Sequence, residues 1–235
     1  MRIIIILFCI VLFYNTAQAQ EASHAIASFV VWKPLAGHED MFEAGYKRHL
    51  QWHKVAQDPW SWYGWYFVSG ERYGQFMDAT FDHAWADFDK PVKSADDLAD
   101  NRVNVFPYGE VKSVYKALYL PELSIRQQNS LTSKLLRLLI LQVTDIAQAS
   151  KLLEGIKGYY QNAGVHTLLV YQLVDGGHAS QLHILLGAGS FEELGKTDNF
   201  IEILQGLEQK SKQKIILTVT SETLLYRSDM SLFPE

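Results

Sequence analysis

The chain has 235 residues, a formal net charge of −5 and one cysteine. It contains no basic run of the kind that nucleic-acid binding requires, which removes that class of partner. Cys9 lies in an apolar leader, so the remainder offers no thiol for a disulfide, a thiolate metal site or a cysteine nucleophile.

Residues 1–19 read as a secretory signal peptide. Met1-Arg2 supplies the charged start, Ile3 to Phe13 is free of charge, and Ala17-Gln18-Ala19 is a small-x-small cleavage site. The apolar run is shorter than the roughly 20 residues of a membrane span. Ile6-Leu7-Phe8 before Cys9 lacks the small residues of a lipoprotein site. The expectation is a periplasmic or secreted protein without a membrane span after cleavage.

Ala25 to Val31 is nearly continuous in apolar and β-branched residues and predicts a strand covered on both faces. Pro34 and Gly37 end it, and a helix is expected from Glu39 to Gln57, stopped by Asp58-Pro59 because proline disfavours helix in the residue before it. Trp62 to Ser69 and Tyr73 to Phe81 read as a hairpin. Helical pieces follow at Asp82 to Asp89, with Asp82 as cap, and at Ala95 to Val105, and Val111 to Leu118 closes the unit as a strand. The order β-α-β-β-α-β is ferredoxin-like.

Residues 119–133 contain Pro121 and the polar tract IRQQNSLTS and read as a linker. The order then recurs: strand Leu136 to Val143, helix Ile146 to Ala163, strands Thr167 to Val174 and Gln181 to Gly187, helical pieces within Phe191 to Leu207, and strand Lys214 to Leu225. The predicted organisation is an N-terminal repeat over 20–118 and a C-terminal repeat over 134–235. The fold class is α+β, with the two four-stranded sheets facing each other around a shared cavity and the helices outside.

By this element order the chain resembles the dimeric α/β-barrel superfamily in a tandem, single-chain form. That group includes monooxygenases of antibiotic biosynthesis, stress-responsive barrel proteins and chlorite-dismutase-like proteins. The resemblance implies a paired-sheet barrel with a pocket and carries over no catalytic residue.

The two halves differ at one place. The inward stripe of the first helix is Phe42, Tyr46, His49, His53 and Ala56, whereas that of its counterpart is Ala149, Leu153, Ile156, Tyr160 and Ala163. Histidines at i and i+4 can point at one ion, one haem edge or one substrate, or they can pack with their nitrogens on backbone carbonyls or water. Leu50 after His49 breaks the metalloprotease pattern, and no metal centre is expected. A zinc site would need Asp78, Asp82 or His83 as third ligand, and nothing in the spacing demands it.

Aromatic residues crowd the same region. Five of the six tryptophans lie between Met41 and Asp89. The candidate ligand-binding residues are Tyr46, His49, Trp52, His53, Trp62, Trp65, Tyr66, Phe81 and His83. Gly64 would admit a close approach in mid-strand. No G-x-S-x-G elbow, P-loop or dinucleotide fingerprint is present. The leading expectation is an exported cell-envelope protein binding a small apolar or aromatic molecule. The alternatives are a cofactor-independent or haem-dependent monooxygenase-like enzyme, with His49 or His53 as base or axial ligand, and a structural interaction module. An exposed aromatic face would favour self-association, with a homodimer as the simplest product.

Overall fold

The computed structural model describes residues 25–234, and the expected signal segment lies outside them. Eight strands form one closed antiparallel barrel. They are β1 (Ile26–Pro34), β2 (Tyr63–Phe67), β3 (Phe76–His83), β4 (Gly109–Tyr119), β5 (Leu135–Val143), β6 (Leu168–Asp175), β7 (Gln181–Ala188) and β8 (Ile216–Tyr226). Their order around the barrel is β1-β3-β2-β8-β5-β7-β6-β4, and β4 returns to pair with β1. The first four strands therefore run β4-β1-β3-β2 and the last four β8-β5-β7-β6. The two groups join through Trp65 opposite Tyr226 and through Tyr119 opposite Tyr171.

The helices lie outside the barrel: α1 (Glu39–Ala56), α2 (Ser94–Asn104), α3 (Ile146–Asn162), α4 (Phe191–Gly195) and α5 (Phe200–Ser211). Glu39 and Asp40 begin α1, where carboxylates favour the positive end of the helix dipole. Gln57 ends it in a left-handed conformation one residue before Asp58-Pro59. Asp145 caps α3 by accepting from the Gln148 N–H at 2.8 Å. None of the helices among the described residues is long and apolar enough to cross a membrane.

Alternation along the strands separates two kinds of core. Ala27, Phe29, Val31, Trp65, Met77, Phe81, Tyr115, Leu138 and Tyr171 pack together on the inner face. Trp32, Phe42, Tyr46, Leu50, Phe76 and Val105 pack on the outer face of the first half, under α1 and α2. Leu139, Leu153, Ile156, Tyr160, Ile184 and Phe200 do the same under α3 and α5. The two four-stranded groups close as the barrel that the resemblance implied, and the expected shared cavity is corrected to a packed interior. Eight strands leave room for little more than their own inward side chains, and here many of those are aromatic.

Other departures have local causes. The β2–β3 hairpin has a longer loop than expected, because Gly70 and Gly74 take positive φ and leave Tyr73 exposed outside the strand. Asp82 is not a helix cap. It sits at φ +63° and makes two bonds to Arg126, at 2.7 and 2.6 Å, while Asp87 accepts from the Ala84 N–H at 2.8 Å. The connecting segment 119–133 is anchored, with Leu123 and Leu131 buried and Ile125 bridging to Leu168. Gly64 does admit a close approach, but the visitor is the chain itself. A Cβ there would lie 2.4 Å from the Met230 carbonyl oxygen, and Gly64 N–H donates to Ser231 Oγ at 3.0 Å.

Candidate functional site

The histidines of α1 face inward, beneath α2. Gly45 permits this contact, since a Cβ there would lie 1.8 Å from the Asn104 carbonyl oxygen. The approach brings Asp97, Asp100 and Asn101, which share one face of α2, over His49 and His53. His49 Nδ1 lies 2.8 Å from Asp100 Oδ2, and His53 Nδ1 lies 2.7 Å from Asp58 Oδ2. Both Nε2 atoms then turn toward each other at 3.1 Å, with Asp97 Oδ1 3.2 Å from that of His49 and 3.8 Å from that of His53.

The electrostatics follow from burial and these bonds. Burial lowers the pKa of His49, against the bond to Asp100. Burial alone would raise Asp58, but bonds from His53, the Trp60 N–H and the Trp62 indole hold it below the usual carboxylate range. Asp78, fully buried on the outer face of β3, is pushed up to about 7 by burial despite the Trp32 indole N–H 2.6 Å away and a bond with Tyr46.

The nine candidate ligand residues divide into three places. Tyr46, His49, His53, Trp52, Trp62 and Tyr66 lie on the outer side of the barrel around α1. Trp52 stacks on His49, Trp62 lies 4.4 Å from the His53 ring, and Tyr66 packs on Phe76. Trp65 and Phe81 belong to the barrel interior. His83 is buried at the end of β3, 4.1 Å from the Trp60 ring and 5.4 Å from that of Phe88. One pocket therefore does not collect all nine, because neighbouring strand positions face opposite sides of the sheet.

Phe81 and His83 do meet at a cleft of about 420 Å³ at one end of the barrel, within the usual range of small-molecule sites. Its walls are Pro59, Trp60, Ser61, Tyr63, Phe81, Asp82, His83 and Asp87. Tyr63 and Phe81, ring centroids 5.3 Å apart, both pack against the interior core and join the cleft to it. In that core Trp65 Nε1 and Tyr171 Oη are buried without a hydrogen-bond partner. His83 Nδ1 lies 3.9 Å from Asp87 Oδ2.

Sequence reading missed Asp97, Asp100 and Asn101. Their spacing on α2 was a usable signal, but only the tertiary contact at Gly45 says what that face meets. Nor did it single out His183. His183 is buried in the barrel wall with its Nε2 unpartnered and Tyr115 5.2 Å away. Asp78, Asp82 and His83, the expected third-ligand candidates, stay out of the His49–His53 cluster, where Asp97 stands instead.

The residues do not fit haem at His49 or His53. An axial imidazole must aim its free nitrogen into a flat slot, whereas these two nitrogens face each other and Asp97. The adjoining seam is closed by ring contacts, Tyr46 to Phe76 at 4.7 Å and Phe42 to Phe76 at 5.8 Å.

No protein-family model matches the chain, and no curated protein matches it in sequence. Solved structures do match in shape. An inferred monooxygenase from Lactobacillus acidophilus NCFM superposes with a TM-score of 0.58 at 10% identity, over 89% of this chain and 97% of that one. An anthrone oxidase-like protein gives 0.53 at 10% identity, over 87% and 93%. Chlorite dismutase from Candidatus Nitrospira defluvii gives 0.53 at 7% identity, over 86% and 91%. These comparisons overturn the leading expectation of an envelope ligand-binding protein, because the structures sharing the shape carry the names of oxygenase-like and chlorite dismutase enzymes. With its eight-stranded antiparallel barrel and flanking helices, the chain has the fold of the dimeric α+β barrel superfamily.

Proposed function

We propose that this protein is a cofactor-independent, monooxygenase-like enzyme that oxidises a flat, electron-rich ring compound in the barrel-end cleft. The observation that carries the reading is a cleft walled by Trp60, Tyr63, Phe81 and the imidazole of His83 at one end of the barrel, where aromatic faces and a titratable ring meet. The names of the structural neighbours support the same class of chemistry.

In this reading the rings hold the substrate by stacking, and His83 removes a proton from an activated methylene. The resulting carbanion reacts with dioxygen. One oxygen atom remains as the new carbonyl and the other leaves as water, with both methylene hydrogens. His83 takes the role of base that sequence reading gave to His49 or His53, whose Nε2 atoms face each other and which are not among the cleft walls. The tandem arrangement is part of the proposal: two β-α-β-β-α-β units form the barrel, and only the first has developed a site.

The test is oxygen uptake with anthrone as probe. Stoichiometric uptake above the protein-free rate, reduced at least 100-fold in kcat by His83→Gln with KM little changed, supports the reading. No uptake above background, or uptake unaffected by His83→Gln and by Trp60→Ala, overturns it.

A further inference from the structure

The seam between α1 and α2 holds an arrangement that neither packing nor the oxygenase reading explains. His49 and His53 each have Nδ1 bonded to a carboxylate, Asp100 at 2.8 Å and Asp58 at 2.7 Å. A carboxylate only accepts, so each Nδ1 carries the hydrogen, and in the neutral form of either ring the lone pair is left at Nε2. Those two lone pairs converge at 3.1 Å, with the Asp97 carboxylate beside them. The Asn101 amide reaches His49 Nε2 at 2.9 Å and Asp97 Oδ1 at 3.1 Å, and a cation among the three atoms would serve all of them at once.

We propose that His49, His53 and Asp97 bind a first-row divalent transition metal, zinc or iron(II) by chemistry. The three ligand atoms are separated by 3.1, 3.2 and 3.8 Å. The point equidistant from corners so spaced lies about 2.0 Å from each, which is the bond length of zinc to imidazole nitrogen and carboxylate oxygen. The Asp58 and Asp100 contacts are the outer-shell bonds that orient metal-binding imidazoles and raise their basicity.

Asn101 supplies a fourth corner. Its amide nitrogen stands 2.9 Å from His49 Nε2 and 3.1 Å from Asp97 Oδ1. Turning the amide about its last bond exchanges nitrogen for oxygen and gives up its 3.3 Å contact with the Asp97 backbone carbonyl, a change that a bound ion would have to bring about. The side-chain oxygen then faces the metal. Two histidines and one carboxylate suit both zinc and non-haem iron(II). His49 and His53 are nearly enclosed, whereas the Asp97 side chain keeps 35% of its surface, giving the ion an entry path from the α2 side.

Titration of the untagged, metal-stripped protein with Co2+ and Zn2+ tests this. The expected result is one Co2+ per chain, with the visible d–d bands of a four-coordinate N/O site, displaced by one Zn2+. Asp97→Asn and His49→Gln should each weaken binding at least 100-fold, and Asp100→Asn about 10- to 100-fold. Asp97 is partly exposed, so Asp97→Asn leaves the fold intact, as circular dichroism would verify. Failure of the folded protein to take up either ion overturns the proposal. So does uptake that persists in both Asp97→Asn and His49→Gln, or a shared Nε2–H–Nε2 proton in 15N NMR that excess Zn2+ does not displace. None of these readouts uses catalytic activity, so the metal site and the oxygenase reading stand or fall separately.

Discussion

His183 should make the barrel sensitive to acid in a defined window. Burial, with the Arg72 charge adding to it, lowers its pKa from 6.5 to about 4. Below pH 6.5 the unfolded chain binds a proton at this position and the folded chain does not, so stability falls as pH drops and levels off near pH 4. A shift of two to three pH units corresponds to about 3 kcal/mol when fully expressed, most of it by pH 4.5. For a domain of this size that is a loss of roughly 6–12 °C in melting temperature. Leucine at this position removes the titration and keeps an apolar side chain on the strand. Thermal melts of wild type and His183→Leu at pH 7.5 and 4.5 isolate the effect, because carboxylate titrations common to both proteins cancel in the double difference. Wild type should lose about 2–3 kcal/mol more than the variant between the two pH values. Parallel losses would refute the argument that this imidazole is held neutral by burial.

Three further outcomes follow from local geometry. Gly45→Ala places a methyl group against the Asn104 carbonyl and must push α2 away. The expected cost is about 1–3 kcal/mol in urea unfolding, with faster amide exchange in α2. Asp145→Ala removes the cap on α3, and chemical denaturation should register a loss of about 1 kcal/mol. Gly64→Ala collides with the Met230 carbonyl. Limited proteolysis should then release the C-terminal segment sooner than in wild type, and equal rates would contradict the close approach as its anchor.

Most of the architecture was legible because periodicity reports burial directly. The near-continuous apolar runs at Phe29 and at Leu138 are strands covered on both faces. The stripe of Phe42, Tyr46, His49 and His53 is buried as its 3.6-residue spacing required. Barrel closure was expected only through the resemblance in element order, since the pairings that make it, such as Trp65 with Tyr226, lie far apart in sequence. The site was legible only in part for the same reason. Aromatic density drew attention to residues 41–89, yet Trp65 and Tyr66 are adjacent and face opposite sides of the wall. Gly64, read as room for a ligand, makes room for Met230. Asp97 became relevant only once Gly45 had let α2 descend onto α1.

The location of bound substrate tests the central claim most directly. In crystals soaked with an anthrone-type ring compound, the ring should stack between Trp60, Tyr63 and Phe81, with an activated carbon within about 3.5 Å of a His83 nitrogen. A ring bound at the opposite mouth, beside Arg72 and Glu222, or no bound ring at saturating concentration, would contradict the assignment.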